Sequence, residues 1–207
     1  MNLLILGATG PTGRHLLDQA LNAGHEVTAL VRNAGWLTIS HPGLAAVIGD
    51  ATDAAILENA LRGKQAVLSA LGAGNSLKSD IASRAVAALI PALKAQSARR
   101  LIFLSAFGVG ESFTQASLLQ KVVYKTLTRL IFADKVKADT MMRGSGLDWT
   151  LVYPTWLTNG PRTGKYRVGE QLVMQGMAKI SRADVADFML AQLSTDQWIR
   201  RTAVISD

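Results

Sequence analysis

The sequence predicts an α/β protein with a doubly wound, mostly parallel β-sheet and helices on both faces. Short apolar runs alternate with longer stretches of helical periodicity along the 207 residues, which is the pattern of repeated strand–helix–strand crossovers. The runs NLLIL, QAVLSALG and RLIFLSAFG are almost continuously apolar, as expected for parallel strands buried on both faces. The first run leads through a glycine-rich turn into a helical stretch. We therefore expect one domain over residues 1–207.

The predicted strands are short apolar runs bounded by turn residues. In chain order they are NLLIL, EVTALVR, LAAVIGD, QAVLSALG, RLIFLSAFG, DWTLVYP and TAVISD. The predicted helices lie between them and are TGRHLLDQALNAG, TDAAILENALRG, DIASRAVAALIPALKAQ, the long stretch from Leu118 to Gly146, and SRADVADFMLAQLS. Gly24 is expected to close the first helix, and Pro91 to kink or interrupt the third.

One segment, at about residues 155–180, has no clear period. It contains four glycines and Pro161, a composition typical of loops. Because it directly follows the sixth predicted strand, we expect this irregular segment to cover the substrate.

Composition excludes several classes of protein. Hydrophobic residues make up 49% of the chain, which supports a folded core and argues against disorder. The absence of cysteine excludes disulfides and thiolate chemistry and is compatible with a cytoplasmic location. The N-terminal apolar run is too short for a signal peptide, and no stretch is long enough to span a bilayer. We therefore expect a cytoplasmic protein without membrane contacts.

The chain is basic, with a formal charge of +7. Its basic residues are scattered, and no helix-turn-helix, zinc-ligand or basic–aromatic pattern accompanies them. We interpret the charge as a solvated surface and expect no nucleic-acid partner. The histidines at positions 15, 25 and 41 have no partner at ligand spacing, so we expect no metal site.

The glycine turn GATGPTG places glycines at positions 7, 10 and 13. A turn of this kind between a strand and a helix lets backbone N–H groups approach a pyrophosphate, and the helix N-terminus favours the same anion. The alternative is a tight turn without a ligand, but the strand–turn–helix context favours dinucleotide binding. The residues expected to contact the phosphates are Gly7, Thr9, Gly10, Pro11, Thr12, Gly13 and Arg14.

Further stretches carry a family resemblance. With GATGPTG they are GDATD (Gly49–Asp53), LSALG (Leu68–Gly72), LIFLSAFG (Leu101–Gly108), SGLDWTLVYP (Ser145–Pro154) and ISRADVADFML (Ile180–Leu190). Together they resemble the atypical or extended short-chain dehydrogenase/reductases, specifically the NAD(P)H-binding, NmrA-like group and its biliverdin-IXβ reductase/flavin reductase type. The resemblance implies a Rossmann-type fold and a nicotinamide cofactor, and it says little about the substrate.

The residue after the second strand bears on the choice between NADP(H) and NAD(H). Sites for NAD usually carry an acidic residue there, and sites for NADP an arginine that holds the 2′-phosphate. Here the strand ends at Arg32 without an acid beside it, and a guanidinium can bind a phosphate bidentately. Arg14 is a second candidate. We therefore expect NADP(H) to be preferred over NAD(H).

The remaining candidate residues follow the third to sixth strands, where ligands bind in such sheets. The resemblance places Asp50 beside the adenine and Ser105 near the nicotinamide; the alternative for Asp50 is that it caps the next helix, and Ala51 beside it is a further cofactor-contacting candidate. Asp53 is interpreted as a helix cap, and Asp184 as a first-turn helix residue favoured by the dipole. The other cofactor-contacting candidates are Leu71, Gly72, Ala106, Phe107, Lys135, Tyr153, Pro154 and Thr155.

Three of these residues have more than one interpretation. Ser105 either orients the nicotinamide or acceptor, or is a strand-end turn serine. Phe107 either stacks on the acceptor ring or belongs to the core. Tyr153 is an alternative proton donor by position, but the resembled family usually has Arg-Pro where this chain has Tyr-Pro, so its role stays open.

The usual proton donor of short-chain dehydrogenases is missing from the sequence. In that pattern a tyrosine four residues before a lysine supplies the proton. No tyrosine of this chain has a lysine four residues later, and Lys135 has Ile131 in the tyrosine position. Either the protein binds its cofactor without turnover, or it reduces an acceptor that needs little help with protonation.

Two functions follow from these features. The first is an NADPH-dependent reductase that transfers hydride to a conjugated acceptor such as a flavin, quinone or tetrapyrrole, with Ser105 and Tyr153 as candidate catalytic residues. The alternative is a non-catalytic NADP(H) sensor of the NmrA-like type. The expected partner is a small molecule, and the protein is expected to be a monomer or a homodimer built on the long helix from Leu118.

Overall fold

The computed structural model describes residues 1–72, 80–96, 98–110, 129–174 and 178–207. Within these ranges ten strands alternate with helices. The strands are β1 (Asn2–Leu6), β2 (Glu26–Val31), β3 (Leu44–Ile48), β4 (Ala66–Ser69), β5 (Arg100–Leu104), β6 (Asp148–Pro154), β7 (Trp156–Thr158), β8 (Arg167–Gly169), β9 (Lys179–Ser181) and β10 (Arg201–Ser206). The helices are α1 (Pro11–Asn22), α2 (Ala54–Ala60), α3 (Ile81–Ala95), α4 (Arg129–Arg143) and α5 (Arg182–Ala191), with a short 3₁₀ turn at Ala34–Trp36.

Eight strands form the main sheet, in the order β3-β2-β1-β4-β5-β6-β10-β8. All neighbours run parallel except β8, which pairs antiparallel with β10. This is the predicted doubly wound, Rossmann-type sheet. Strand order reverses between β1 and β4, because β2 and β3 lie on one side of β1 and the later strands on the other. Ligands of such sheets bind in the crevice at this reversal, outside the carboxyl ends of the strands.

Two apolar layers cover the faces of the sheet. Alternate residues of each strand point to opposite faces, so that Leu4 and Leu6 pack under α2, α3 and α4, whereas Leu3 and Ile5 pack under α1 and α5. These four leucine and isoleucine side chains are fully buried. The continuously apolar strand predicted from NLLIL is therefore covered on both faces, and helices lie on both sides as predicted.

The bounds of several predicted elements are confirmed. NLLIL and DWTLVYP are strands over their whole length, and Gly24 follows the C-cap residue of α1 with a φ of 78°. Pro91 lies inside α3 without ending it. The predicted beginning of the long helix at Leu118 lies outside the described residues, which show this helix from Arg129.

The segment at residues 155–180 is less irregular than expected. It contains β7, β8 and the first residues of β9, and β7 and β9 form a small parallel sheet. These strands have only three residues each, too short to show a period of their own. Their pairing depends on partners that are distant along the chain, and the expectation of a segment without secondary structure was wrong.

Asp184 holds part of this segment against α5. Its carboxylate accepts hydrogen bonds from the N–H groups of Thr163 (2.7 Å) and Gly164 (2.9 Å) and from the hydroxyls of Thr163 (3.0 Å) and Ser181 (2.8 Å). The Ser181 hydroxyl also accepts from the Asp184 N–H as the helix cap. Asp184 is therefore an anchor for the 163–164 turn as well as the first-turn residue that was predicted.

Replacing Asp184 with alanine is expected to destabilise the protein by about 2–4 kcal/mol, because several hydrogen bonds to a buried charge are lost together. Burial alone raises the pKa of this carboxyl, but the hydrogen bonds from Gly164, Thr163 and Ser181 lower it below its ordinary value. The stabilisation is therefore present above the ordinary aspartate pKa and lost as pH falls through the lowered value. Denaturant unfolding at a series of acidic pH values measures both effects. Asp18→Asn, at an exposed aspartate, is the control. Equal stability of Asp184→Ala and wild type would contradict the role of Asp184 as an anchor.

Candidate functional site

The candidate site lies along the carboxyl ends of β1 to β6, with the strand-order reversal at its centre. Gly7 follows β1 and has a φ of 76°, a conformation that favours glycine. A Cβ atom on Gly7 would lie 2.6 Å from the Ala70 carbonyl oxygen after β4. Glycine is therefore required here for the close approach of the β1 and β4 ends, whether or not a ligand is bound.

The other two turn glycines have different tasks. A Cβ atom on Gly13 would lie 1.9 Å from the Gly7 carbonyl oxygen, so Gly13 lets α1 pack directly against the turn. A Cβ atom on Gly10 would approach only that same oxygen, at 3.3 Å, and would otherwise enter open space. Gly13 is thus needed for the fold, whereas Gly10 keeps the space in front of α1 free.

The N-terminus of α1 is suited to an anion. Gly10 is its N-cap residue, no side chain caps the helix, and its first turn contains no acidic residue. Pro11 occupies the first turn, where its missing N–H removes nothing from the helix. The dipole and the free N–H groups of this turn therefore face the space that Gly10 leaves open. Arg14 lies beside the turn, where its Nε donates to the Thr9 carbonyl (3.1 Å).

Arg32 and Trp36 lie together beyond the end of β2. Both are exposed, and the Arg32 guanidinium carbon lies 5.5 Å from the centre of the Trp36 ring. Asn33 begins the 3₁₀ turn that carries Trp36 and accepts a hydrogen bond from the Gly35 N–H (2.8 Å). Sequence reasoning missed Trp36, because its contact with Arg32 depends on this 3₁₀ turn and no sequence periodicity shows the turn.

Asp50 lies near Arg32 after β3. Its carboxylate accepts from the N–H and the hydroxyl of Thr52, both at 2.8 Å. These hydrogen bonds, together with Arg84 and Arg32, hold the pKa of Asp50 below its ordinary value. The end of β3 is therefore a small charged cluster next to Arg32, and Ala51 beside it is buried. Asp53 caps α2 through the N–H groups of Ala55 and Ile56, as predicted.

The end of β4 forms the other wall of the crevice. The Ala70 N–H donates to the Leu6 carbonyl (2.9 Å), which ties the β1 and β4 ends together. Leu71 is half-buried, and Gly72 is exposed with no atom within 4 Å of a Cβ placed on it. These two residues follow β4 at the open side of the crevice, and their contact with a cofactor stays a prediction.

A buried hydrogen-bonded cluster lies at the ends of β5 and β6. The hydroxyls of Ser105 and Tyr153 both donate to Oδ2 of Asp139 on α4, at 2.9 and 2.6 Å. Ser105, Tyr153 and Asp139 are each at most 5% exposed. Ser105 and Tyr153, the two predicted catalytic candidates, are therefore brought together, but through a carboxylate that sequence reasoning missed.

Lys135 lies one helical turn before Asp139. Its Nζ donates to the Leu104 carbonyl at the end of β5 (3.2 Å). Burial lowers the pKa of Lys135, against the opposing effect of the Asp139 and Asp134 carboxylates. The four-residue spacing puts Lys135 and Asp139 on the same face of α4, and this spacing was the signal by which Asp139 could have been found.

Burial changes the acid–base properties of the cluster. It raises the pKa of Asp139, and the hydrogen bonds from Tyr153 and Ser105 and the charges of Lys135 and Arg143 only partly oppose this. Burial also raises the pKa of Tyr153, and the Asp139 carboxylate adds to the shift. The Tyr153 hydroxyl therefore keeps its proton and directs it at Asp139, which disfavours Tyr153 as an acid toward a ligand.

The neighbouring candidates mainly hold strands together. Phe107 is 1% exposed and packs in the core beneath the helices of one face, which favours the core interpretation over stacking on an acceptor. Its N–H donates to the Pro154 carbonyl (3.1 Å), and the Thr155 N–H donates to the Ile205 carbonyl (3.1 Å). Ala106 lies half-buried between these contacts. The backbone at the ends of β5 and β6 is thus fixed around Ser105.

A cavity of about 480 Å³ adjoins the buried cluster. The residues that line it include Asp139, Arg143, Tyr153, Glu170 and Arg201. This volume lies within the range of roughly 300–1,000 Å³ that is usual for small-molecule sites. The glycine turn does not line the cavity, which adjoins Tyr153 near the end of β6 and Asp139 on α4.

This fold and this site define a nicotinamide-dinucleotide-binding protein. The chain matches the NAD(P)H-binding family over residues 7–196, and it belongs to that family. No helix within the described residues has the length and apolar character needed to cross a membrane.

Similar proteins have been found among curated sequences and solved structures. The chain is 28% identical over 201 residues to the uncharacterized protein YwnB of Bacillus subtilis, covering 93% of this chain and 92% of YwnB. ChuY, an anaerobillin reductase from Escherichia coli O157:H7, matches with a TM-score of 0.81 at 24% identity, covering 99% and 96% of the two chains. A short-chain dehydrogenase/reductase from Veillonella parvula, solved in complex with NADP, matches with a TM-score of 0.82 at 21% identity, covering 100% and 94%. The two structures support the fold.

Proposed function

We propose that the protein is an NADPH-dependent reductase that transfers hydride to a conjugated acceptor such as a flavin, quinone or tetrapyrrole. One observation carries this proposal: the open glycine turn and the Ser105 hydroxyl lie at the same edge of one sheet, on either side of the strand-order reversal. A dinucleotide with its pyrophosphate at Gly10 would extend along this edge, which would bring its nicotinamide toward Ser105. The similarity to an anaerobillin reductase is compatible with a conjugated acceptor.

The residues of the crevice fit the dinucleotide in three places. The uncapped N-terminus of α1 and the space at Gly10 suit the pyrophosphate. Exposed Arg32 suits a 2′-phosphate, because its guanidinium is a bidentate donor and Trp36 supports one of its faces. The ends of β4 and β5 lie where the nicotinamide half is expected, with Leu71, Gly72 and Ser105 along them. We therefore propose NADP(H) as the preferred cofactor.

The chemistry requires little from the protein beyond orientation. NADPH supplies a hydride when it is bound, and a conjugated acceptor delocalises the incoming electron pair. The missing tyrosine–lysine donor is compatible with such an acceptor and disfavours a simple alcohol or ketone as substrate. The protein itself would hold the two reactants side by side, keep water away from the buried cluster of Ser105, Tyr153 and Asp139, and present the Ser105 hydroxyl to the acceptor.

Loss of NADPH absorbance in the presence of an acceptor tests this function. We expect oxidation of NADPH with at least one of FMN, menadione and biliverdin, faster than without protein and faster than with NADH. Binding of NADPH without oxidation by any of the three would contradict the reductase.

Substitution of Ser105 by alanine is expected to lower kcat by about three- to tenfold, the effect of losing one hydrogen bond in the transition state. NADPH affinity should change little, because the hydroxyl lies at the reacting end and not at the phosphates. Steady-state kinetics together with a dinucleotide titration separates the two effects. Ser194→Ala, an exposed serine near the end of α5, is the matched control; full activity of Ser105→Ala would leave Ser105 a structural residue.

A non-catalytic NADP(H) sensor is the second candidate. It is favoured by one observation: both hydroxyls at the reaction end, on Ser105 and Tyr153, are engaged by Asp139 in the described structure. A sensor binds NADPH with the same Arg32 and glycine-turn dependence but oxidises none. NADP-dependent capture of a defined protein partner, with no turnover, would support it against the reductase.

A further inference from the structure

Resting on the proposed reductase, we propose that Asp139 is the positioning residue that supplies Ser105 with a proton and so replaces the missing tyrosine–lysine donor. Ser105 is then the group that touches the acceptor, and Asp139 acts through it. Tyr153 does not donate its proton to the acceptor in this proposal. It holds Asp139 in place instead.

The contacts of Asp139 support this division of tasks. Its Oδ2 atom accepts from Ser105 at 2.9 Å and from Tyr153 at 2.6 Å. Its Oδ1 atom is buried and has no hydrogen-bond partner within the part of the chain that the structure describes. An ionised carboxylate with one oxygen unpaired away from water is costly, so this environment favours the neutral acid.

Protonation of Asp139 changes what Ser105 can do. While Asp139 is a carboxylate, Ser105 donates its only hydrogen to Oδ2 and has none for a ligand. When Oδ2 carries a proton, Asp139 donates it to Oγ of Ser105, and the Ser105 hydrogen becomes free to turn toward the acceptor. Tyr153 continues to donate to Oδ2 in both states and fixes the carboxyl group in one orientation.

The proton balance of the reaction follows from these contacts. Hydride adds to the acceptor, and the electron pair displaced onto an acceptor oxygen or nitrogen takes the Ser105 hydroxyl proton. Ser105 then takes the proton on Oδ2, which leaves Asp139 as a carboxylate. Because Asp139 lines the 480 Å³ cavity, a proton from solvent restores its acid form. The net reaction consumes NADPH, the acceptor and one proton, and yields NADP⁺ and the dihydro product.

The charged groups around Asp139 set the pH at which this transfer operates. Lys135 and Arg143 on α4 favour its carboxylate, as do the hydrogen bonds from Tyr153 on β6 and Ser105 after β5, whereas burial favours the acid. Glu170 and Arg201 line the same cavity, where the Arg201 Nε and Glu170 Oε1 atoms lie 3.7 Å apart as an exposed ion pair. The acid form is the active one, so turnover should fall as pH rises through the raised pKa of Asp139.

The first experiment compares pH profiles of NADPH oxidation with menadione. For wild type we expect kcat to fall with rising pH. For Asp139→Asn we expect a kcat about tenfold lower at acidic pH, the effect of losing about one hydrogen bond in the transition state, and no fall with rising pH. Asp187→Asn is the matched control, because Asp187 also accepts from a tyrosine hydroxyl, that of Tyr166 at 2.8 Å, and should keep the wild-type profile. A falling limb unchanged in Asp139→Asn overturns the proposal while leaving the reductase intact.

A second variant covers the case in which Asp139→Asn does not fold. Tyr153→Phe removes one hydrogen bond that stabilises the carboxylate, so it should raise the pKa of Asp139 and move the falling limb to higher pH. If Tyr153 had only a structural role, Tyr153→Phe would lower the stability of the protein without changing the pH at which kcat falls. An unmoved limb in folded Tyr153→Phe overturns the proposal.

A third measurement needs no turnover. In protein labelled with ¹³C at aspartate carboxyl groups, one resonance should titrate well above ordinary aspartates, disappear in Asp139→Asn and shift in Ser105→Ala. Titration of Asp139 at or below the ordinary value overturns the proposal whatever the activity. Absence of NADPH oxidation by wild type with FMN, menadione and biliverdin overturns the reductase, and the proton transfer with it.

Discussion

A valine at position 10 is expected to reduce NADPH affinity by at least about a hundredfold, or roughly 3 kcal/mol, while the protein stays folded. A Cβ atom at Gly10 has only the Gly7 carbonyl oxygen nearby, at 3.3 Å. The branched side chain therefore extends into the space where the pyrophosphate would approach the N-terminus of α1. Calorimetric titration with NADPH measures the loss, and thermal unfolding confirms that the variant is folded.

The control for this substitution is a glycine outside the crevice. Gly144, after α4, has no neighbour closer than 3.7 Å to a Cβ, so Gly144→Val should bind NADPH as wild type does. Gly13→Val is unsuited to the test, because its Cβ would lie 1.9 Å from the Gly7 carbonyl oxygen and the fold itself would be disrupted. Unchanged NADPH affinity in Gly10→Val would remove the phosphate site from the glycine turn.

Substitution of Arg32 by alanine is expected to weaken NADPH binding by about ten- to a hundredfold, the effect of losing a charge-assisted contact of about 1.5–3 kcal/mol. NADH binding should be spared, because NADH has no 2′-phosphate. Arg14→Ala should show a smaller effect in the same direction, and the double variant should bind both dinucleotides about equally. Titration of each variant with each dinucleotide measures these differences.

Exposed Arg62, at the end of α2, provides the control for the loss of one positive charge. Arg62→Ala should change the affinities for NADPH and NADH only slightly and to the same extent, because salt screens the charge of an exposed side chain outside the crevice. Equal weakening of both dinucleotides in Arg32→Ala, or equally tight binding of both by wild type, would contradict the assignment of Arg32 to the 2′-phosphate.

The fold could be predicted because most of its strands are recognisable from a short run of sequence alone. NLLIL is apolar at every position but its first because both faces of β1 are covered, and no distant residue is needed to recognise such a strand. The glycine turn is equally local, although Gly7 and Gly13 are required by the packing of the turn itself and only Gly10 points to a ligand. The three short strands β7, β8 and β9 could not be predicted, because β8 exists only by pairing with β10, and β7 only by pairing with β9.

The candidate site was predicted mainly at strand ends and in the glycine turn with the first turn of α1, and elsewhere within helices only at Lys135. Ser105 and Tyr153 end parallel strands, so the sheet topology alone brings them to one edge. Asp139 lies in the middle of α4, and only the packing of that helix against β5 and β6 turns its carboxyl toward both hydroxyls. Trp36 was missed for a related reason: its contact with Arg32 depends on a 3₁₀ turn whose geometry no periodicity shows.

A single-turnover experiment with NADPH deuterated at the transferable position of the nicotinamide tests the central claim most directly. The protein is mixed with NADPH and menadione without oxygen, and the loss of NADPH absorbance is followed for wild type and Gly10→Val. We predict rapid oxidation by wild type, slowed by the deuterium, and no oxidation above background by Gly10→Val. Binding of NADPH by wild type without oxidation, or oxidation that persists in Gly10→Val, would contradict a reductase that holds its cofactor at this turn.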